Sequence, residues 1–170
     1  MEGVYYIDKE RNEFSKLLDK YVGVDIKPYK LQVCNTNYIN DIYEFGGRNI
    51  LYKEKERNIY YFMKEMRHIE YNMAFIMLCY TSRIMDIEMK KNKYKHGHCP
   101  LVIPIVLYTG EEEWTAKIKL SELQGLNEKE KKYTELQYIL IEMKNYNIEK
   151  IKPKEKENAI KLVLKNSKVS

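Results

Sequence analysis

Cysteine is scarce in this chain, with three among 170 residues: Cys34, Cys79 and Cys99. They are odd in number, widely spaced and form no CxxC pair, which argues against a disulfide framework and for a reducing compartment. Four prolines and seven glycines are spread thinly. No Pro/Gly/Ser stretch and no internal repeat marks a boundary, so residues 1–170 read as a single domain. No apolar run approaches the roughly 20 residues of a membrane span. The start, Met1-Glu-Gly-Val-Tyr-Tyr-Ile-Asp8, lacks the basic and apolar regions of a secretion signal. A soluble, cytoplasmic protein with no membrane partner is the expectation. His96-Gly-His98-Cys99 offers metal-ligand side chains but no fourth ligand at finger-like spacing, so it reads as a loop and no metal is assigned there.

What the chain does have is a globular balance: 44% hydrophobic and 32% charged residues, with a formal net charge of +5. That charge permits nucleic-acid binding without arguing for it. From Asp8 to Tyr21 the apolar residues Phe14, Leu17, Leu18 and Tyr21 share one helical stripe, with Gly23 just past its end. Asn49–Lys55 and Arg57–Glu65 read as the two strands of a hairpin, and Asn35–Ile39 before them as extended or looped. Glu70–Lys91 is a long helix whose stripe carries Met73, Met77, Met85 and Met89 beside Ile76, Tyr80, Ile84 and Ile87. Leu101–Tyr108, seven apolar or aromatic residues around Pro104, reads as a strand buried on both faces. Leu120–Leu126 reads as a short helix or turn, Leu136–Glu142 as another strand, and about 152–165 as a Lys/Glu-rich closing helix. Strand, strand, helix, strand is the order of a mixed sheet with a crossover helix, hence an α/β or α+β domain.

The stretch Pro100-Leu-Val-Ile-Pro-Ile-Val-Leu-Tyr-Thr-Gly110, continuing through Trp114-Thr-Ala-Lys117, resembles a signature of the Rpn family, the recombination-promoting nucleases also described as putative transposases. Relatives read roughly D-I-x-Y-K, a short turn, then I-Y-F-L-I-E-H-Q-S-x-x-D-Y-N-M. Here the matching text is Asn49-Ile-Leu-Tyr-Lys53, then Ile59-Tyr-Tyr-Phe-Met-Lys64-Glu65-Met66-Arg67, then Glu70-Tyr-Asn-Met73. The resemblance covers about residues 8–142. It implies a PD-(D/E)XK nuclease-like core, a central mixed β-sheet flanked by helices, and Mg²⁺-dependent cleavage of DNA, with DNA as partner.

The departures fall on the positions that the resemblance marks as catalytic. Asn49 stands for the Asp, Lys64 for the Glu, Met66 for the Gln, and Ile76 for a helix Arg. Mg²⁺ is a hard cation that needs oxygen ligands. A lysine charge ~4 Å from a divalent cation is repelled by about 8 kcal/mol at an effective dielectric of 20. In this register the metal site is dismantled, no cofactor is implied, and the enzyme activity is in question. A rival register uses Glu65-Met66-Arg67 with Asp41 as first carboxylate and Mg²⁺ as cofactor, but it needs a β-bulge to bring Glu65 round. For nucleic-acid contact the candidates are Lys90, Lys91, Lys93 and Lys95 around Tyr94, set against a solvated loop. Trp114 is another, set against a loop anchor. Two readings follow: a non-catalytic DNA-binding or interaction protein, alone, as a homo-oligomer or with an active paralogue; or a working endonuclease through Asp41, Glu65 and Arg67.

Overall fold

The computed structural model describes residues 2–40, 47–134 and 136–145. The stretch containing Asp41 and the closing helix expected at about 152–165 lie outside the described residues. Five strands form one sheet in the order β1-β2-β3-β4-β5. They are β1 (Leu31–Val33), β2 (Asn49–Glu54), β3 (Ile59–Met66), β4 (Leu101–Tyr108) and β5 (Ile139–Glu142). Strands β1, β2 and β3 run antiparallel to their neighbours, and β3, β4 and β5 run parallel. The parallel step from β3 to β4 is made by α3 (Met73–Lys91), as a crossover requires. The sheet is mixed and the domain is α/β.

Helices cover both faces. On one face, even-numbered residues of β3 and β4 (Tyr60, Phe62, Met66, Val102, Val106) meet Met73, Ile76, Met77, Tyr80 and Ile84 of α3. Met73 and Met77 are core, Met85 packs half-buried against them, Met89 is half-buried nearer the helix end, and Cys79 is half-buried. On the other face, Tyr61, Met63, Ile105, Leu107 and Ile141 pack under Phe14, Leu18 and Ile26. Helix α1 (Glu2–Leu17) runs into one π-helical turn, Leu18–Val22, closed by Gly23 in the left-handed conformation. It begins earlier than its apolar stripe does. Covered on both sides, β3 is buried at every position.

Pro104 sits in β4, where a missing N–H would break a central ladder. The pairing with β5 starts only at Ile105↔Ile139, so at Pro104 the strand has one neighbour, Phe62 of β3. The lost donor therefore costs little. Strand β1 and the 3₁₀ turn Pro28–Lys30 before it carried no sequence pattern, since three residues are too few to show an alternation. Asn37–Asn40 closes into the short helix α2, and Leu120–Leu123 and Glu128–Lys131 form α4 and α5.

Candidate functional site

The carboxyl ends of β3, β4 and β5 meet the first residue of β2 at one end of the sheet, the end where α/β sheets usually bind ligands. The antiparallel register places Asn49 directly opposite Lys64. Both point to the α3 face, and the Lys64 ammonium donates to Asn49 Oδ1 at 3.3 Å. Its Nζ also lies 5.4 Å from the centre of the Tyr80 ring, a cation–π arrangement. The Lys64 residue is 1% exposed, and burial pulls its pKa down. Tyr80, on α3, is fully buried; burial pushes its hydroxyl pKa up and the Asn49 side chain pulls it back. Met66 completes this face, buried in the same apolar cluster, to which Ile76 also belongs.

Glu65 lies on the opposite face. It is 6% exposed, and burial raises its carboxyl pKa, offset in part by Arg67 and Arg48. Arg67 follows the end of β3 and is exposed, while Arg48 forms an ion pair with Glu10 at 3.5 Å. The strand is regular from Ile59 to Met66, without the bulge that would turn Glu65 toward Asn49. Lys64 and Glu65 are therefore held apart by the pleat itself.

Two glycines lock this end. A Cβ at Gly47 (φ 105°) would lie 1.9 Å from the Glu65 carbonyl oxygen, and one at Gly110 would lie 2.4 Å from the Arg67 carbonyl oxygen. Both contacts are backbone, which cannot step aside, so only glycine fits. Thr109 adds two hydrogen bonds to the Met66 carbonyl, from its N–H at 2.9 Å and its hydroxyl at 3.2 Å. Neither close approach has a signature in the sequence beyond the glycines themselves.

Trp114 is 8% exposed. Its indole N–H donates to the Tyr138 hydroxyl at 3.1 Å, and its ring meets Tyr108 edge-on at a centroid distance of 4.9 Å. It anchors the loop after β4 and presents no open ring face for a base. The basic loop after α3 lies at the other end of the sheet, ~16 Å from Lys64 at about 3.3 Å per residue along β3. There Lys90 pairs with Asp86 at 2.6 Å and Lys91 with Glu88 at 2.5 Å.

The described donors beside Lys64 do not suit a hard divalent cation. Asn49 offers a neutral amide oxygen, Met66 a thioether, and Lys64 a positive charge where a carboxylate would be needed. Among the described residues, no group of three or more His, Cys, Asp and Glu side chains could hold a metal ion. No helix among them is long and apolar enough to cross a membrane.

A five-stranded mixed sheet between helices, with its polar cluster on the β2–β3 hairpin, defines an α/β protein consistent with a nuclease-like core. The family described as "Putative transposase, YhgA-like" matches residues 23–169, most of the chain. The chain belongs to that family. Neither the search of curated proteins nor that of solved structures gave a match.

Proposed function

We propose that the chain is a DNA-binding member of this transposase family with a PD-(D/E)XK core that does not cleave on its own. The observation that carries the reading is the Lys64–Asn49 contact of 3.3 Å. An internal ammonium holds the place where cleavage would need a metal between two carboxylates. With Glu65 on the other face, the hairpin has no second set of ligands to offer the same point. Binding DNA, alone or beside a cleavage-competent relative, is then the activity left to the scaffold.

The test is nicking of supercoiled plasmid with Mg²⁺ or Mn²⁺, comparing the unmodified chain with an Asn49→Asp/Lys64→Glu double variant. No nicking by the unmodified chain and EDTA-sensitive nicking by the double variant is the expected result. EDTA-sensitive nicking by the unmodified chain, lost in Glu65→Ala, would overturn the reading in favour of an endonuclease built on Glu65, Arg67 and Asp41.

A further inference from the structure

We propose that the end of the sheet away from Lys64 is a phosphate-backbone surface, assembled from the β2–β3 turn and the loop between α3 and β4. The inference rests on the DNA-binding reading above and names the face that carries it. The two segments are tied together. Asn58 Nδ2 donates to the His98 carbonyl at 2.9 Å, and the Leu101 N–H donates to the Asn58 carbonyl at 3.0 Å. The turn contributes Lys55 and Arg57, the loop Lys93, Lys95, His96 and His98, and all six are exposed. Among the described residues, no carboxylate forms an ion pair with Lys55, Lys93 or Lys95. The acids nearest in sequence already have cations of their own: Glu54 lies 3.8 Å from Arg57, Glu56 holds Lys30 at 2.7 Å, Glu88 holds Lys91 at 2.5 Å and Asp86 holds Lys90.

A second observation is independent of charge. Lys93 and Tyr94 stand in the left-handed region, with φ of 51° and 53°, a conformation that side chains other than Gly and Asn rarely adopt. The loop is held there by Tyr94 N–H to the Met89 carbonyl at 2.8 Å and Tyr94 hydroxyl to Asp86 at 3.1 Å. The strained pair leaves Lys93 and the Tyr94 ring facing solvent, with Tyr94 58% exposed. Glycine at 93 would relieve the strain and remove the charge. The loop from Asn92 to Pro100 carries no carboxylate. At the Lys64 end Glu111, Glu112 and Glu113 lie exposed in the loop after β4, beside the exposed Arg67 and Lys144, so that end presents both signs. The polyanion partner is therefore expected at the Lys93 end, reached without any metal.

The experiment is fluorescence anisotropy with a labelled DNA duplex of about 30 base pairs in EDTA, between about 50 and 200 mM salt. The unmodified chain is compared with a Lys55→Ala/Arg57→Ala/Lys93→Ala/Lys95→Ala variant and with Lys93→Gly. Each lost phosphate contact lowers the slope of log affinity against log salt by about 0.9, so the fourfold variant is expected to lose about 3 to 4 in slope. Lys93→Gly is expected to lose about 1 while melting no lower than the unmodified chain. Should the fourfold variant misfold, Lys93→Gly decides alone. Unchanged slopes in the folded variants would overturn the surface and leave DNA binding to be placed elsewhere. No duplex binding by the unmodified chain at the lowest salt would overturn both the surface and the reading beneath it.

Discussion

Among the described residues, Lys64 donates to one amide oxygen and lies over the face of one ring, and its burial takes an ammonium out of water. Burial disfavours the charged form of a lysine. Lys64→Met, which removes that cost, is therefore expected to be more stable than the unmodified chain at pH 7. The sign with pH follows from the lowered pKa. Above its depressed folded value, and up to the ordinary lysine value of 10.5, the unfolded chain binds more protons, so the unmodified protein gains stability as pH rises. The advantage of Lys64→Met should accordingly shrink as pH climbs toward 10.5. Urea denaturation at neutral and alkaline pH measures it. A methionine variant that is less stable at pH 7, by a margin that grows with pH, would show that the ammonium stabilises the hairpin.

At the scale of elements, the loop after β4 depends on three aromatic rings, Tyr108 and Trp114 at its two ends and Tyr138 from further along the chain. Trp114 meets Tyr108 and Tyr138 edge-on, and the Tyr138 hydroxyl, whose pKa burial pushes up to about 12, donates in turn to the Lys117 carbonyl at 3.2 Å. Trp114→Phe would remove one hydrogen bond and part of the buried surface, while Tyr138 keeps its other partner. A loss of about 1–3 kcal/mol is expected from these two effects, read from thermal or urea unfolding. A change near zero would mean that the loop is held by its backbone alone. The element pattern was largely legible beforehand. Strand β4 ran over the residues its apolar run defined, because a strand buried on both faces is hydrophobic throughout. Helix α3 kept its methionine stripe but began at Met73, three residues after the first periodic position at Glu70. Strand β5 began at Ile139, with Leu136 and Gln137 outside it, because its parallel pairing with β4 starts only at Ile105.

For the molecule as a whole, a metal that binds only the folded state raises stability by RT ln(1 + [L]/Kd). A site with a Kd of about 1 mM would contribute about 1.4 kcal/mol at about 10 mM Mg²⁺, or roughly 3–6 °C in Tm for a domain of this size. The unmodified chain is expected to show no such shift, and Asn49→Asp/Lys64→Glu to show it. A metal-dependent rise in the unmodified chain would mean that the donors around Lys64 rearrange to admit a cation. The loop between α3 and β4 exposes Lys93 and Lys95 with no carboxylate from Asn92 to Pro100, while the loop after β4 exposes Glu111, Glu112 and Glu113. Any approach by a polyanion should therefore be oriented as well as attracted.

By itself the sequence determined the class of fold and the family text, because period-2 and 3–4 hydrophobic patterns are local and survive without neighbours. It also located Asn49, Lys64 and Met66 as the positions where the carboxylates and the glutamine of the resemblance are missing. Only the tertiary structure decided that Lys64 is buried under Tyr80, that Glu65 faces away from it, and that Gly47 and Gly110 are pressed against the end of β3. It likewise decided that Trp114 is sealed inside and that the basic loop stands at the far end of the sheet. Each of these depends on groups brought together from distant parts of the chain, and burial, which sets a side chain's charge and reach, exists only once they meet.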